Sequence, residues 1–198
     1  AEIAAEIARG LDFLAGRERN LPERHRSLRA VFDYSWNLLP TDERRALAAL
    51  SVLQGGFDRE AAAAVAGANL PLLLALAARS LVQRVDVGRY GLHELVRQYA
   101  HEQLRASADW EPVRDRHLAH FAELTAAARD ALYGPDQRQW LERLELEHDN
   151  LRAAFEWAFA PSGFPGAAGS LAPNPADRRG AQWRVETALR AVADIPRF

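Results

Sequence analysis

The chain predicts a mainly α fold: a winged-helix domain with one short β-hairpin, followed by antiparallel helices that begin an α-solenoid. Three observations carry this. Most of the sequence repeats its apolar residues at steps of three and four, the period of an amphipathic helix. A single stretch around Gly88 breaks that period with two short β-prone runs. The joins between helical stretches are short and punctuated by Gly, Pro, Asp and Asn.

Taken in order, Ile3, Ile7, Leu11 and Leu14 give residues 1–14 an amphipathic helix, ended by the charged stretch at 16–23 with Pro22 inside it. Leu28, Val31, Phe32, Tyr34, Trp36, Leu38 and Leu39 form a second helix that Pro40 closes. Thr41 is the expected N-cap of a third, with Asp42 and Glu43 in its first turn. That helix packs Leu47, Leu50 and Leu53 and is expected to stop at Gly55-Gly56. Asp58 caps a short Ala-rich helix ending at Gly67, and Asn69 or Leu70 opens another that runs to about Arg79. Leu81, Val82, Val85 and Val87, then Tyr90 and Leu92, flank Gly88 as the two arms of a hairpin. Helical spacing returns with Leu95, Val96, Tyr99 and Leu104.

Beyond it, Val113, Leu118, Phe121, Leu124 and Ala128 share one face of a long helix that ends near Tyr133-Gly134-Pro135. A short helix over 139–144 (Trp140, Leu141, Leu144) and another over 148–160 (Leu151, Ala154, Phe155, Ala158) follow. Residues 161–180, rich in Gly, Pro, Ala and Ser, read as a mobile loop, and 182–195 as a last helix. The expected domains are therefore a trailing helix of a preceding segment (1–20), the winged helix (21–106), and a helical region that begins an α-solenoid (107–198), which the resemblance given below implies is tetratricopeptide-like.

Composition narrows the function classes. The 198 residues are 48% hydrophobic and 26% charged with a net charge of −2, the balance of a folded domain and not of a chain that binds nucleic acid by bulk charge. No apolar run reaches the 18 residues of a membrane span. There is no Cys, hence no thiolate chemistry. All 25 basic residues are Arg, so a phosphate-loop lysine and a Schiff-base lysine are excluded within this chain. The lack of Met and the start in mid-helix suggest a piece of a longer protein. Heavy Ala and Arg usage suits a GC-rich bacterial source. A cytoplasmic location is expected.

Candidate chemistry is sparse. His117 and His120 stand three apart, a spacing metals use, but Arg114, Asp115 and Arg116 around them predict a solvated face. Glu142, Glu145, Glu147 and Asp149 alternate with Leu141, Leu144 and Leu151 as an exposed helix face would, not as a catalytic pair. No nucleophile elbow, phosphate loop or dinucleotide fingerprint is present, so the chain is not expected to be an enzyme by itself. If the winged helix bound DNA, its helix at 70–79 would enter the groove. That helix is almost wholly apolar and is expected to be buried on nearly all sides, leaving Arg84 and Arg89 of the hairpin as phosphate contacts. His93 stands where the hairpin gives way to a helix, a position that suits either a helix cap or a donor to an anion at the positive helix end.

Three blocks together carry a family resemblance: LPERHRSLRAVFDYSWNLLP at 21–40, LSVLQGGFDREA at 50–61 and RYGLHELVRQYA at 89–100. In this combination and order they resemble the winged-helix segment that follows the NB-ARC-type ATPase core of bacterial STAND regulators, among them large LuxR-type and antibiotic-regulator-type transcriptional activators. His117 through DNLRAA at 149–154 is similar to the lead-in to their tetratricopeptide sensor region. The resemblance implies that Leu92-His93-Glu94 takes the place of a Met-His-Asp-like motif whose His contacts the β-phosphate of ADP. It further implies that ADP or ATP is held mainly by an upstream domain supplying the Walker A lysine and magnesium-binding acids. That domain would be the winged helix's partner. An inducer or protein partner would bind the repeats, DNA would be reached only through another domain, and no membrane would be involved. Direct DNA binding by the winged helix, with the helical tail as a dimerisation region, is the competing expectation.

Overall fold

The computed structural model describes residues 23–160 and 175–194. The predicted helix at 1–14, and with it the trailing segment 1–20, lies outside them. Nine helices and one hairpin are found among the described residues: α1 (Glu23–Asn37), α2 (Thr41–Leu50), α3 (Arg59–Ala66), α4 (Leu70–Ala78), β1 (Gln83–Asp86), β2 (Arg89–Gly91), α5 (Glu94–Arg105), α6 (Trp110–Ala131), α7 (Gln137–Leu146), α8 (His148–Ala158) and α9 (Pro175–Asp194). The mainly α fold with one hairpin and trailing helices is what the sequence predicts.

Local chemistry explains most boundaries. Asp58 accepts a hydrogen bond from the Ala61 amide at 2.8 Å and Asn69 from that of Leu72 at 3.0 Å, so both caps act as expected. Gly67 ends α3 with φ of 64°, a left-handed value that a side chain would oppose. Thr41 does not cap α2: Pro40 holds the N-cap position in an extended conformation and Thr41 is the first helical residue. Proline's fixed φ sets the helix entry without a side-chain acceptor. α2 also stops at Leu50, before Gly55-Gly56. Tight turns after it carry Val52 and Leu53 into the core. The last helix begins at Pro175, earlier than expected, so 175–180 is helical and not loop. Proline at a helix start lacks only an amide hydrogen that would go unpaired there. Residues 161–174 lie outside the described residues.

The hairpin pairs Gln83 with Gly91 and Arg84 with Tyr90, and slips by one residue at Val85. β2 also meets Phe57 on its other side, where Phe57 and Tyr90 exchange two 2.8 Å backbone hydrogen bonds and stack their rings. α2 packs against α3 and α4, α5 closes on α2, and α6 runs against α3, α8 and α9. The hydrophobic core is continuous across the expected boundary at 106/107. Leu47, Leu50, Val65 and Leu76 belong to the same buried cluster as Leu118, Phe121, Leu151 and Trp157. No single helix among the described residues is long and apolar enough to cross a membrane.

Candidate functional site

α3 and α4 meet at 99° across the three-residue turn Gly67-Ala68-Asn69. This is the geometry of a helix-turn-helix, with α4 as the outward second helix and the hairpin as the wing. The sequence LPLLLALAA predicts a helix buried almost all round. Instead only Leu73 and Leu76 are buried, while Leu74 is 57% exposed and Leu70 and Pro71 also face solvent. α4 packs on α2 along one side, and its other face is left open to solvent among the described residues. Arg79, just past its end, is paired with the buried carboxylate of Glu43 at 2.9 Å. The outer face of α4 thus offers aliphatic surface where a base-reading helix needs donors and acceptors.

On the wing, Arg84 is exposed and donates from Nε to the Asp86 carbonyl, two residues on, at 3.2 Å, with Val85 and Val87 exposed beside it. Arg89, expected as a phosphate contact, is turned inward and forms an ion pair with Glu147.

His93 occupies the N-cap of α5. Its backbone is extended (φ −60°, ψ 138°), its carbonyl accepts from the Arg97 amide at 2.9 Å, and its Nδ1 accepts from the Leu95 amide at 3.3 Å. The ring is exposed. A neutral imidazole that accepts at Nδ1 carries its proton on Nε2, so the second nitrogen is a donor. His93 therefore serves as the helix cap of α5. Glu94, next to it, is engaged by Arg97 at 2.7 and 2.8 Å and by Gln98 at 2.6 Å. The Arg97 hydrogen bond holds the Glu94 carboxyl below its ordinary pKa, so it remains ionised. Beside the junction is a cleft of about 380 Å³ lined by Leu53, Gly56, Phe57, Leu92, Glu94 and Arg97. His93 does not line it.

His117 is buried and not on a solvated face. It packs against Phe121 at 4.8 Å between centroids, and neither ring nitrogen has a hydrogen bond of ordinary geometry. Burial, followed by the Arg114 charge, pushes its pKa down to about 3, so the ring is neutral at pH 7. Asn150 opposes that shift through its proximity, but its amide is committed to Gln54, Gly56 and Glu147. Among the described residues no cluster of three His, Cys, Asp or Glu could hold a metal. Of the four acids, Glu142, Glu145 and Asp149 are exposed as expected, whereas Glu147 is buried. Sequence reasoning missed the joint made by Glu147, Asn150 and Arg89. The Gly55-Gly56 pair was its only visible trace.

Three curated proteins are similar to this chain. One comes from Mycobacterium bovis and two from strains of Mycobacterium tuberculosis, and each is provisionally described as an HTH-type transcriptional regulator. Each is 38% identical over 167 residues, a match covering 77% of this chain and 19% of the relative. The chain therefore spans about a fifth of the length of the curated relatives it matches. No family pattern and no solved structure matches it.

Proposed function

We propose that this chain is a regulatory segment of a transcription regulator, in which the winged-helix unit docks on a protein surface and presents His93 to a nucleotide diphosphate held there. The single observation that carries the reading is the exposed aliphatic face of α4. A helix-turn-helix whose outward helix displays Leu70 and Leu74 gains by excluding water against an apolar partner and offers base edges no hydrogen bond. The partner is an upstream nucleotide-binding domain, as the resemblance of the three sequence blocks implies, and the helical region after Trp110 is the sensor.

The residues at the junction fit a diphosphate in part. His93 offers a donor at a positive helix end, on an exposed ring. Glu94 is repulsive to an anion, but Arg97 forks onto both its oxygens and offsets its charge. The nucleotide, when bound, supplies the anionic charge that bridges the two domains. His93 donates to it from the winged-helix side, and the contact is lost when the domains part. A charge-assisted hydrogen bond is worth roughly 1.5–3 kcal/mol, about a ten- to hundredfold bias toward the docked state. In the full-length protein, His93→Ala should speed ADP dissociation by about tenfold or more in a stopped-flow chase. An unchanged off-rate would contradict the assignment.

A second reading, direct DNA binding through the same helix-turn-helix, is favoured by the 99° geometry and agrees with the description of the relatives. It requires that α4 enter the groove with a face lacking polar side chains, and that the wing bind phosphate with Arg89 already committed to Glu147.

A further inference from the structure

Glu147 and Asn150, at the entry to α8, lie far in sequence from the winged helix but are buried against it. Asn150 is fully buried. Its Oδ1 accepts from the Gln54 amide at 2.7 Å, and its Nδ2 donates to the Gly56 carbonyl at 3.0 Å and to Glu147 Oε2 at 2.7 Å. The other Glu147 oxygen receives Arg89 Nη1 from β2. The second arm of Arg89 reaches the Gly55 and Leu146 carbonyls, each at 3.4 Å. The turn between these partners has no slack. Gly55 and Gly56 hold φ of 70° and 91°, and a Cβ on Gly56 would stand 3.0 Å from the Tyr90 carbonyl oxygen. On the far side, a Cβ on Gly55 would meet the Asp149 carboxylate at 3.2 Å.

A helix joint needs none of this polarity, since an apolar contact holds without costing desolvation. An apolar contact is also tolerant of sliding, because it has no preferred direction. A buried network of an ion pair and an amide has one geometry, and displacing a single member strands the others unpaired. We infer that the Arg89–Glu147–Asn150 network is a coupling joint. It makes the hairpin and the Gln54–Gly56 turn move as one with the start of α8, so that a change in the helical region is delivered to Arg89 of β2, four residues before His93. The joint stands on its own geometry. Only the identification of His93 as the receiving residue rests on the proposed function.

Amide hydrogen exchange on the intact chain tests it. Glu147→Gln keeps the side-chain shape and removes the charge. It should raise exchange of the hairpin, residues 83–91, and of the 54–57 turn by about tenfold or more, leaving α2 and α3 unchanged. The double variant Arg89→Gln/Glu147→Gln should do no more than the larger single one, because each removes the same interaction. Removing the exposed Arg138–Glu142 pair on α7 with Glu142→Gln should leave the hairpin as it was. Hairpin exchange unchanged by Glu147→Gln overturns the inference. If Glu147→Gln loosens the whole chain, Arg89→Lys, which keeps the charge but loses the forked second arm, must still separate the hairpin from α2. Uniform exchange there overturns it as well. A normal ADP off-rate in His93→Ala would remove the nucleotide reading and leave this joint untouched.

Discussion

α4 and α6 invert the usual relation between composition and burial. α4 is the aliphatic sequence LPLLLALAA, and only Leu73 and Leu76 of its nine residues are buried. α6 begins WEPVRDRH and carries charge along its length, yet Val113, His117, Leu118, Phe121, Leu124, Thr125 and Ala128 are all buried. The cause is neighbours. α6 is packed by α3, α8 and α9, whereas α4 rests on α2. Burial is decided by how many elements surround a helix. An aliphatic helix left half open is then informative, because folding alone does not explain its outward leucines.

The sharpest way to break this comparison is to truncate both faces of α4. Leu76, fully buried, should cost about 2–5 kcal/mol on Leu76→Ala, whereas exposed Leu74→Ala should cost under about 0.5 kcal/mol in urea unfolding. Equal losses would mean that α4 is covered on both sides. The inverse property of α6, a polar group buried without partners, appears in acid. Between pH 6.5 and about 3 the unfolded chain binds a proton at His117 that the folded chain refuses. Stability should be level above this window and fall as pH drops through it, by at most about 1.4 kcal/mol per unit. His117→Leu should flatten that slope, because it removes the group whose protonation the fold refuses. Asp58→Ala, which removes the cap of α3, should cost about 1 kcal/mol. The smallest effect belongs to His93. Its capping contact is exposed and 3.3 Å long, so His93→Ala should change folding stability by only a few tenths of a kcal/mol. That makes any larger change in nucleotide retention a functional readout.

The order of helices and the hairpin were legible because caps and breakers act locally. Asp58, Gly67, Asn69 and Gly88 each do what their chemistry predicts. Thr41 misled because Pro40 sets the same helix entry by ring geometry, which competes with a hydroxyl cap. The early start of α9 was hidden because Pro175 reads as a breaker, although it is compatible with a first helical turn. His93 was legible as a position, since the switch of period falls beside it. The environments of His117, Glu147 and Arg89 were not. Each is charged or polar in a charged neighbourhood of sequence, and only tertiary packing turns those side chains inward. The burial of α4 failed for the complementary reason, since periodicity cannot count neighbours.

The claim that the helix-turn-helix is a docking surface and not a groove reader is tested most directly by titrating the intact chain into labelled random duplex DNA at about 20 mM and again at about 200 mM salt. Specific folds that bind DNA nonspecifically through six to ten phosphates lose roughly 10³–10⁵ in affinity over such a range. The account predicts no saturable binding at either salt. Tight binding at low salt with a steep decline at high salt, weakened by Arg84→Ala, would contradict it and establish the winged helix as a DNA-binding unit.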